Sequence, residues 1–205
     1  MGMNLRDRVA REAAFLLYRG VVEEYKQAKE MAAKGLGAKF LPSNLEVAVA
    51  LDEIAEELEG EGRRRRLLEM RRTALELMEH LSDLHPRLIG SVWRGTIHRG
   101  SDIDIVVYAQ DREEVAERLR GMGLQVQREE SRTVVKTGVP TTSHHLYLQT
   151  PSGFEVEVVV RPPWEEGEVE LCEIYGDLKV GLTLPQLRRI LREDPLRRFV
   201  PLKRR

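Results

Sequence analysis

Two aspartates, Asp102 and Asp104, open an apolar run rich in β-branched residues, and their spacing suits metal chemistry. Alternate side chains of a β-strand point to the same face, so we expect the two carboxylates to lie side by side. Carboxylate oxygens suit Mg²⁺, which keeps several waters and takes its other ligands from phosphate. Two such ions about 4 Å apart would stabilise both oxygens of an in-line displacement. The pair therefore predicts a phosphate-directed magnesium site, with Mn²⁺ as the alternative cation.

A glycine-containing turn precedes the aspartates, where residues 90–95 read Gly-Ser-Val-Trp-Arg-Gly. Gly90 would let the backbone approach a phosphate closely. Ser91 would donate a hydrogen bond to that phosphate from the start of the following helix, where free N–H groups favour an anion. Arg94 and Arg99 follow, and each fits either the neutralisation of a triphosphate or an ordinary surface position.

The whole arrangement resembles the signature of the nucleotidyltransferase superfamily, which has the polymerase-β-like fold. The resemblance rests on Gly-Ser at 90–91, a nearby glycine, and Ser-Asp-x-Asp at 101–104 at the head of a strand. It extends over about residues 87–161, roughly a third of the chain. The motif is similar to that of the archaeal CCA-adding enzymes, whereas the chain length is typical of the minimal nucleotidyltransferases.

The resemblance implies an enzyme that moves a nucleoside monophosphate from a nucleoside triphosphate, ATP among them, to a hydroxyl and releases pyrophosphate. It also implies four nucleotide-binding residues, Gly90, Ser91, Arg94 and Ser101. The acceptor stays open between RNA, a partner protein and a small molecule. A catalytically inactive module of the same fold, which binds nucleotide or an antitoxin-like partner, is the alternative function.

A third carboxylate on a later strand completes the metal site of the superfamily. The apolar run 154–159 offers Glu155 and Glu157, which alternate with valines and share a face. The archaeal motif favours Glu157, and its implied role is to hold the metal that lowers the pKa of the acceptor hydroxyl. Asp102, Asp104 and Glu157 are therefore the expected catalytic and metal-binding set. Glu155 in that role, and an exposed strand face for both glutamates, remain open.

Further basic residues have less specific spacing. Arg63–Arg66, with Arg71 and Arg72, form a basic cluster that fits a solvated helix face, a nucleic-acid backbone contact or an acidic partner. His98, His144 and His145 lack a metal-ligand spacing, so we expect them in solvent or on strand surfaces.

Amphipathic helices and then short strands must position these residues. Apolar stripes predict one helix from the Asn4 cap to Gly35, a second from a capping box at Ser43 to about residue 60, and a third over about 64–82. After residue 87 the strands are expected at 87–89, 103–109, 124–136, 144–149 and 154–160, with helices after Asp111 and over Leu184–Glu193. The expected class is α+β, a polymerase-β-like core with a mixed sheet behind an all-helical arm. The expected domains are 1–84, 85–165 and a C-terminal extension, 166–205.

Composition narrows the class of protein. Lys and Arg number 33 against 34 Asp and Glu, which excludes a basic protein whose overall field captures nucleic acid. Hydrophobic residues make up 41%, too many for a disordered chain, and the single Cys172 excludes a disulfide framework. Apolar runs stay far below the roughly 18 residues of a membrane span, and the N-terminus lacks a signal segment. We expect a cytoplasmic protein, and the stripes of the helical arm favour a homodimer.

Overall fold

The computed structural model describes residues 3–136 and 139–201, and over these ranges the chain forms a mixed α+β fold. Its strands are β1 (Arg87–Ile89), β2 (Ile103–Tyr108), β3 (Val126–Lys136), β4 (Val139–Gln149), β5 (Glu155–Arg161) and β6 (Leu182–Thr183). They form one sheet in the order β3-β4-β5-β2-β1-β6. The pair β2–β5 is parallel and the other neighbours are antiparallel, so the predicted α+β class with a mixed sheet is confirmed.

The helices surround one face of this sheet and one end of the molecule. They are α1 (Leu5–Tyr18), α2 (Tyr25–Gly35), α3 (Asn44–His80), α4 (Gly90–Arg94), α5 (Arg112–Gly121) and α6 (Leu184–Glu193). The bounds of α6 agree with the predicted ones. None of the helices in the described ranges is long and apolar enough to cross a membrane.

The first predicted helix is in fact two helices. Asn4 caps α1 as expected, since its side chain accepts a hydrogen bond from the Asp7 amide at 2.9 Å. Gly20 then adopts a φ of 67°, a left-handed conformation that ends a helix and that glycine adopts without strain. The break leaves Val21 exposed, although the periodicity assigns it to the buried stripe.

Helix α3 joins the two predicted helices around a kink at Gly60, where the backbone is non-helical with φ 47° and ψ −125°. The Ser43 capping box forms as predicted. The half before the kink packs with α1 and α2 in one hydrophobic cluster, and the half after it packs under the sheet in another. The hydrophobic core therefore changes at the kink, while the predicted domain limits at residues 84 and 165 stay predictions.

The sheet buries one face in the main core, whereas the other carries polar residues beside a small buried apolar cluster on β2 and β5. On β2, Ile103, Ile105 and Val107 are fully buried in the cluster formed with the second half of α3, α5 and α6. Because side chains alternate along a strand, Asp104 on β2 and Glu157 on β5 point to the opposite face. We call this opposite side the polar face of the sheet.

Candidate active site

Three carboxylates meet on the polar face where β2 and β5 run side by side. The parallel register sets Asp104 opposite Glu157, and Asp102 lies just before β2. One oxygen from each of the three side chains lies within 4.8 Å of the others. Glu155 is exposed at the start of β5 and is not part of this group. The structure thus brings together the expected set, which we call the carboxylate cluster.

The electrostatics of the carboxylate cluster favour a bound cation. Burial, with the charges of Asp102 and Glu157, raises the pKa of Asp104 well above its ordinary value. Burial also raises the pKa of Asp102, and the carboxylates of Glu157 and Glu155 add to the effect. Three acids held this close repel one another, and a divalent cation among their oxygens would remove the repulsion. The donor set fits Mg²⁺ or Mn²⁺.

Gly90 lies against the carboxylate cluster for a steric reason that the sequence does not show. It follows Ile89, the residue paired with Asp104 across β1 and β2, and has a φ of 70°. A Cβ added at Gly90 would overlap the Asp104 Oδ2 atom. Glycine is therefore required both by the left-handed backbone and by the aspartate carboxylate.

A cleft of about 300 Å³ opens beside the carboxylate cluster. Gly90, Ser91 and Asp104 line one end of it. Tyr25 of α2 and Tyr175 of the C-terminal segment line the rest, with other residues of α3 and the 96–98 loop. Ser91 and Gly90 are thus placed where a bound phosphate would reach the carboxylates, and their nucleotide-binding role stays a prediction.

Arg94 also borders the cleft, but its charge is already balanced within the protein. The buried guanidinium donates two hydrogen bonds to Asp177, at 2.7 and 3.1 Å, and one to the carbonyl of Phe199 at 2.9 Å. It also stacks at 4.4 Å on the rings of Trp93 and Tyr175. These contacts tie the C-terminal segment to α4, and nucleotide binding by Arg94 stays a prediction.

Ser101 and Arg99 shape the loop that leads into the aspartates. The Ser101 Oγ atom accepts a hydrogen bond from the His98 amide at 2.9 Å, which closes the turn before Asp102. Arg99 donates to the carbonyl of Tyr18 at 3.1 Å and so attaches this loop to α1. The predicted role of Ser101 as a nucleotide ligand stays a prediction.

His145 is a site residue that the sequence interpretation missed. Its Nδ1 atom lies 2.6 Å from the Glu157 Oε1 atom, and its Nε2 atom lies 3.1 Å from the Ser143 Oγ atom. The side chain is buried, so the expected solvent or strand-surface position is wrong for this histidine. The antiparallel pairing of β4 with β5 brings it to Glu157. The Pro-Ser-Gly turn at residues 151–153 indicates this hairpin but does not fix its register.

Tyr147 shares the face of His145 on β4 and pairs directly with Glu157 on β5. Burial, followed by the neighbouring carboxylate of Glu157, raises the pKa of Tyr147 to about 12. The phenol therefore stays protonated at neutral pH, and its hydroxyl donates to the Glu130 carboxylate at 3.4 Å. Tyr147 thus lies beside the glutamate of the carboxylate cluster, while His145 makes the hydrogen bond to it.

The predicted basic cluster does not form one surface. Arg63 and Arg71 are buried, which contradicts both a solvated face and a phosphate contact for them. Arg63 donates to the carbonyl of Ile97 at 2.7 Å, and Arg71 donates to four carbonyl oxygens. Arg64 is exposed and pairs with Glu56 at 2.7 Å. Because they bind oxygens far along the chain, we call Arg63, Arg71 and Arg94 the arginine clamps.

Comparison with known proteins agrees with the site. A family model described as "Nucleotidyltransferase domain" matches residues 70–140. Among curated proteins none matches the sequence. Similar solved structures include a cytoplasmic RNA terminal U-transferase, with 16% identity, a TM-score of 0.32, and coverage of 57% of this chain and 34% of that one. Another is Cid1 bound to a UTP analogue, with 18% identity, a TM-score of 0.31, and coverage of 46% and 30%. The chain thus spans about a third of their length.

The matched residues contain the turn at Gly90 and both aspartates of the carboxylate cluster. Glu157 lies beyond the match and joins the two aspartates through the pairing of β5 with β2. The resemblance seen in the sequence is therefore confirmed for residues 70–140, which match the nucleotidyltransferase domain model.

Proposed function

We propose that this protein transfers a nucleoside monophosphate from a nucleoside triphosphate to a hydroxyl acceptor and releases pyrophosphate. The observation that carries the proposal is the carboxylate cluster, with Asp102, Asp104 and Glu157 within 4.8 Å beside the Gly90 turn. A degenerate binding module would have no chemical need to hold three repelling acids together. The cluster therefore favours catalysis over the inactive alternative.

The reaction is an in-line displacement at the α-phosphorus. The acceptor oxygen forms a bond to phosphorus while the bond to the oxygen that bridges to the β-phosphate breaks, and the acceptor proton passes to solvent. Asp102, Asp104 and Glu157 would hold the divalent metal, which when bound neutralises phosphate charge and lowers the pKa of the acceptor hydroxyl. His145 would hold the Glu157 carboxylate in position.

The cleft provides the place for the nucleotide. Its volume of about 300 Å³ is at the lower end of the range for small-molecule pockets, roughly 300–1,000 Å³. Gly90 and Ser91 would lie at the phosphates, next to the carboxylate cluster. Tyr25 and Tyr175 border the remainder, where the nucleoside of ATP or another triphosphate would lie.

The test compares two glutamates of one strand. Purified protein is incubated with each α-³²P-labelled nucleoside triphosphate, Mg²⁺ or Mn²⁺, total RNA and cell lysate. We expect label in one acceptor class from the wild type, and a loss of about 100-fold or more in Glu157→Gln, because a metal ligand is removed. Glu155→Gln is the matched control and should retain wild-type transfer.

Equal transfer by Glu157→Gln and Glu155→Gln would contradict the assigned cluster. The absence of label from any wild-type reaction, with nucleotide binding still measurable, would replace the proposal with an inactive binding module.

A further inference from the structure

The geometry of the displacement fixes the side from which the acceptor must approach. The Gly90 turn and the cleft lie on the β1 side of the two aspartates, whereas Glu157 lies on the β5 side. In an in-line reaction the attacking oxygen enters opposite the leaving pyrophosphate. Given the proposed function, the acceptor therefore comes over β5 and the β3–β4 hairpin beyond it.

A basic and aromatic patch lies on this hairpin, on the same face as Glu157. Tyr147 of β4 pairs with Glu157 on one side and with Arg128 of β3 on the other. Glu130 and Arg132 follow Arg128 at alternate positions of β3, so their side chains share its face. We call Arg128, Glu130, Arg132 and Tyr147 the hairpin patch.

The two arginines of the hairpin patch are positioned and accessible. The Arg128 guanidinium lies 3.9 Å above the centre of the Tyr147 ring, and Arg132 donates to the Tyr147 hydroxyl at 3.1 Å. Their side chains are 61% and 57% exposed. Glu130 pairs with both, at 2.9 and 3.2 Å, and leaves the patch with one net positive charge.

We infer that the hairpin patch binds the acceptor and that the acceptor is a single-stranded nucleic acid with a free 3′ hydroxyl. A guanidinium group can donate two parallel hydrogen bonds to a phosphate. An arginine that is already stacked on an aromatic ring loses little conformational entropy when it binds. In a nucleic acid, phosphates lie next to the 3′-terminal nucleoside that carries the attacking hydroxyl. With that hydroxyl at the carboxylate cluster, these phosphates would lie over the hairpin patch, which is next to Glu157 in the sheet. The open surface also suits an extended strand better than a small acceptor, which needs an enclosed pocket.

Binding is measured without nucleoside triphosphate, so the result does not depend on catalysis. The probe is a fluorescently labelled oligoadenylate RNA of about 15 nucleotides, and its anisotropy gives Kd between about 50 and 200 mM KCl. A DNA oligomer of the same sequence distinguishes RNA from DNA as the preferred strand.

The double variant Arg128→Gln/Arg132→Gln should raise Kd about 10-fold or more at 0.1 M salt and reduce the salt slope by about 1.4, since two phosphate contacts are lost. Glu130→Gln should lower Kd, because it removes a competing carboxylate. Arg120→Gln is the matched control: this half-exposed arginine pairs with Glu113 on α5, which packs on the other face of the sheet. Opposite effects of the arginine and glutamate variants exclude unfolding as the cause.

Unchanged Kd and salt slope in the double variant, or no RNA binding by the wild type, would overturn the inference. Label transferred to a protein at equal rates by wild type and double variant would also overturn it, and would assign a protein acceptor. Patch-dependent RNA binding without any transfer would leave the inference standing and contradict only the proposed function.

Discussion

The carboxylate cluster is half-buried and the arginine clamps are buried, and the two differ in how their charge is balanced. Each clamp is surrounded by oxygens from distant segments, as Arg71 is by the carbonyls of Val92, Trp93, Pro195 and Arg197. In the carboxylate cluster, acids face acids, and the pKa of its central aspartate rises well above the ordinary value.

This difference distinguishes charged side chains that stabilise the fold from charged side chains that can bind a ligand. A guanidinium that spends most of its five N–H donors on protein oxygens fixes the segments that surround it. Like charges held together are costly unless an opposite charge arrives, so they indicate a ligand. By this criterion Asp102, Asp104 and Glu157 indicate a ligand site. The contacts of Arg63, Arg71 and Arg94 join segments of the fold, and the predicted nucleotide contact of Arg94 stays a prediction.

Removal of a clamp should produce the largest change in stability. Arg71→Met leaves four carbonyl oxygens without their donor, and we expect the free energy of unfolding to fall by about 3–5 kcal/mol. Burial lowers the pKa of Arg71 to about 10, so the group is still charged at neutral pH. Urea denaturation measures the loss, with exposed Arg72→Met as control. Equal stability of the two variants would show that Arg71 is not a clamp.

A methyl group at Gly90 should affect stability and transfer together. Gly90→Ala forces a side chain into a left-handed position and against Asp104, and we expect a loss of about 1–3 kcal/mol in unfolding free energy. Displacement of the carboxylate should also reduce transfer. Gly121→Ala is the control, since an added Cβ there meets nothing within 4 Å. Transfer at the wild-type rate in Gly90→Ala would contradict the close packing of Gly90 on the cluster.

His145 should affect metal affinity more than stability. His145→Gln loses the 2.6 Å contact that orients Glu157, and we expect Mn²⁺ to bind about 10–100-fold more weakly in isothermal titration. His144 faces the other way and contacts Ser131, so His144→Gln is the control. If His145→Gln and His144→Gln bound Mn²⁺ with equal affinity, the role of His145 in positioning Glu157 would be contradicted.

Substitution of Glu46 should have the smallest effect on stability. The pKa of Glu46 is lowered, whereas the pKa values in the carboxylate cluster are raised. Its hydrogen bond to Arg6 lowers the pKa of Glu46 to about 2, in contrast to the raised values in the carboxylate cluster. The charged form therefore stabilises the fold above the unfolded pKa of about 4.3, and this contribution is lost as pH falls towards 2. Wild type and Glu46→Gln should differ slightly in melting temperature at pH 7 and converge near pH 2. If the difference in melting temperature between wild type and Glu46→Gln grew as the pH fell, the charged form of Glu46 would not be the stabilising one, and this prediction would be wrong.

Local patterns predicted what depends on neighbours in the sequence. Asp102 and Asp104 share a face because a strand alternates, and Ser43 caps α3 through Glu46 three residues later. The interruption near Gly60 was predicted, but the break at Gly20 was not, since glycine within an apolar stripe is compatible with either a continuous or a broken helix.

Residues whose partners lie far along the chain were not predictable. Arg71 contacts carbonyls more than a hundred residues away, and Arg94 pairs with Asp177 in the C-terminal segment. His145 depends on the register of β4 against β5, which the sequence does not specify. Burial of an arginine also contradicts its usual surface position, so composition alone favours the wrong environment.

The most direct test of the difference between cluster and clamps is thermal denaturation of wild type and Asp104→Asn with and without Mn²⁺, together with transfer of labelled nucleotide. We predict that Mn²⁺ raises the Tm of the wild type alone. The metal-free Tm of Asp104→Asn should equal or exceed that of the wild type, because a repelling charge is gone, while its transfer is lost. Transfer at the wild-type rate by Asp104→Asn, with the same Mn²⁺-dependent shift, would contradict the assignment of the carboxylate cluster as the active site.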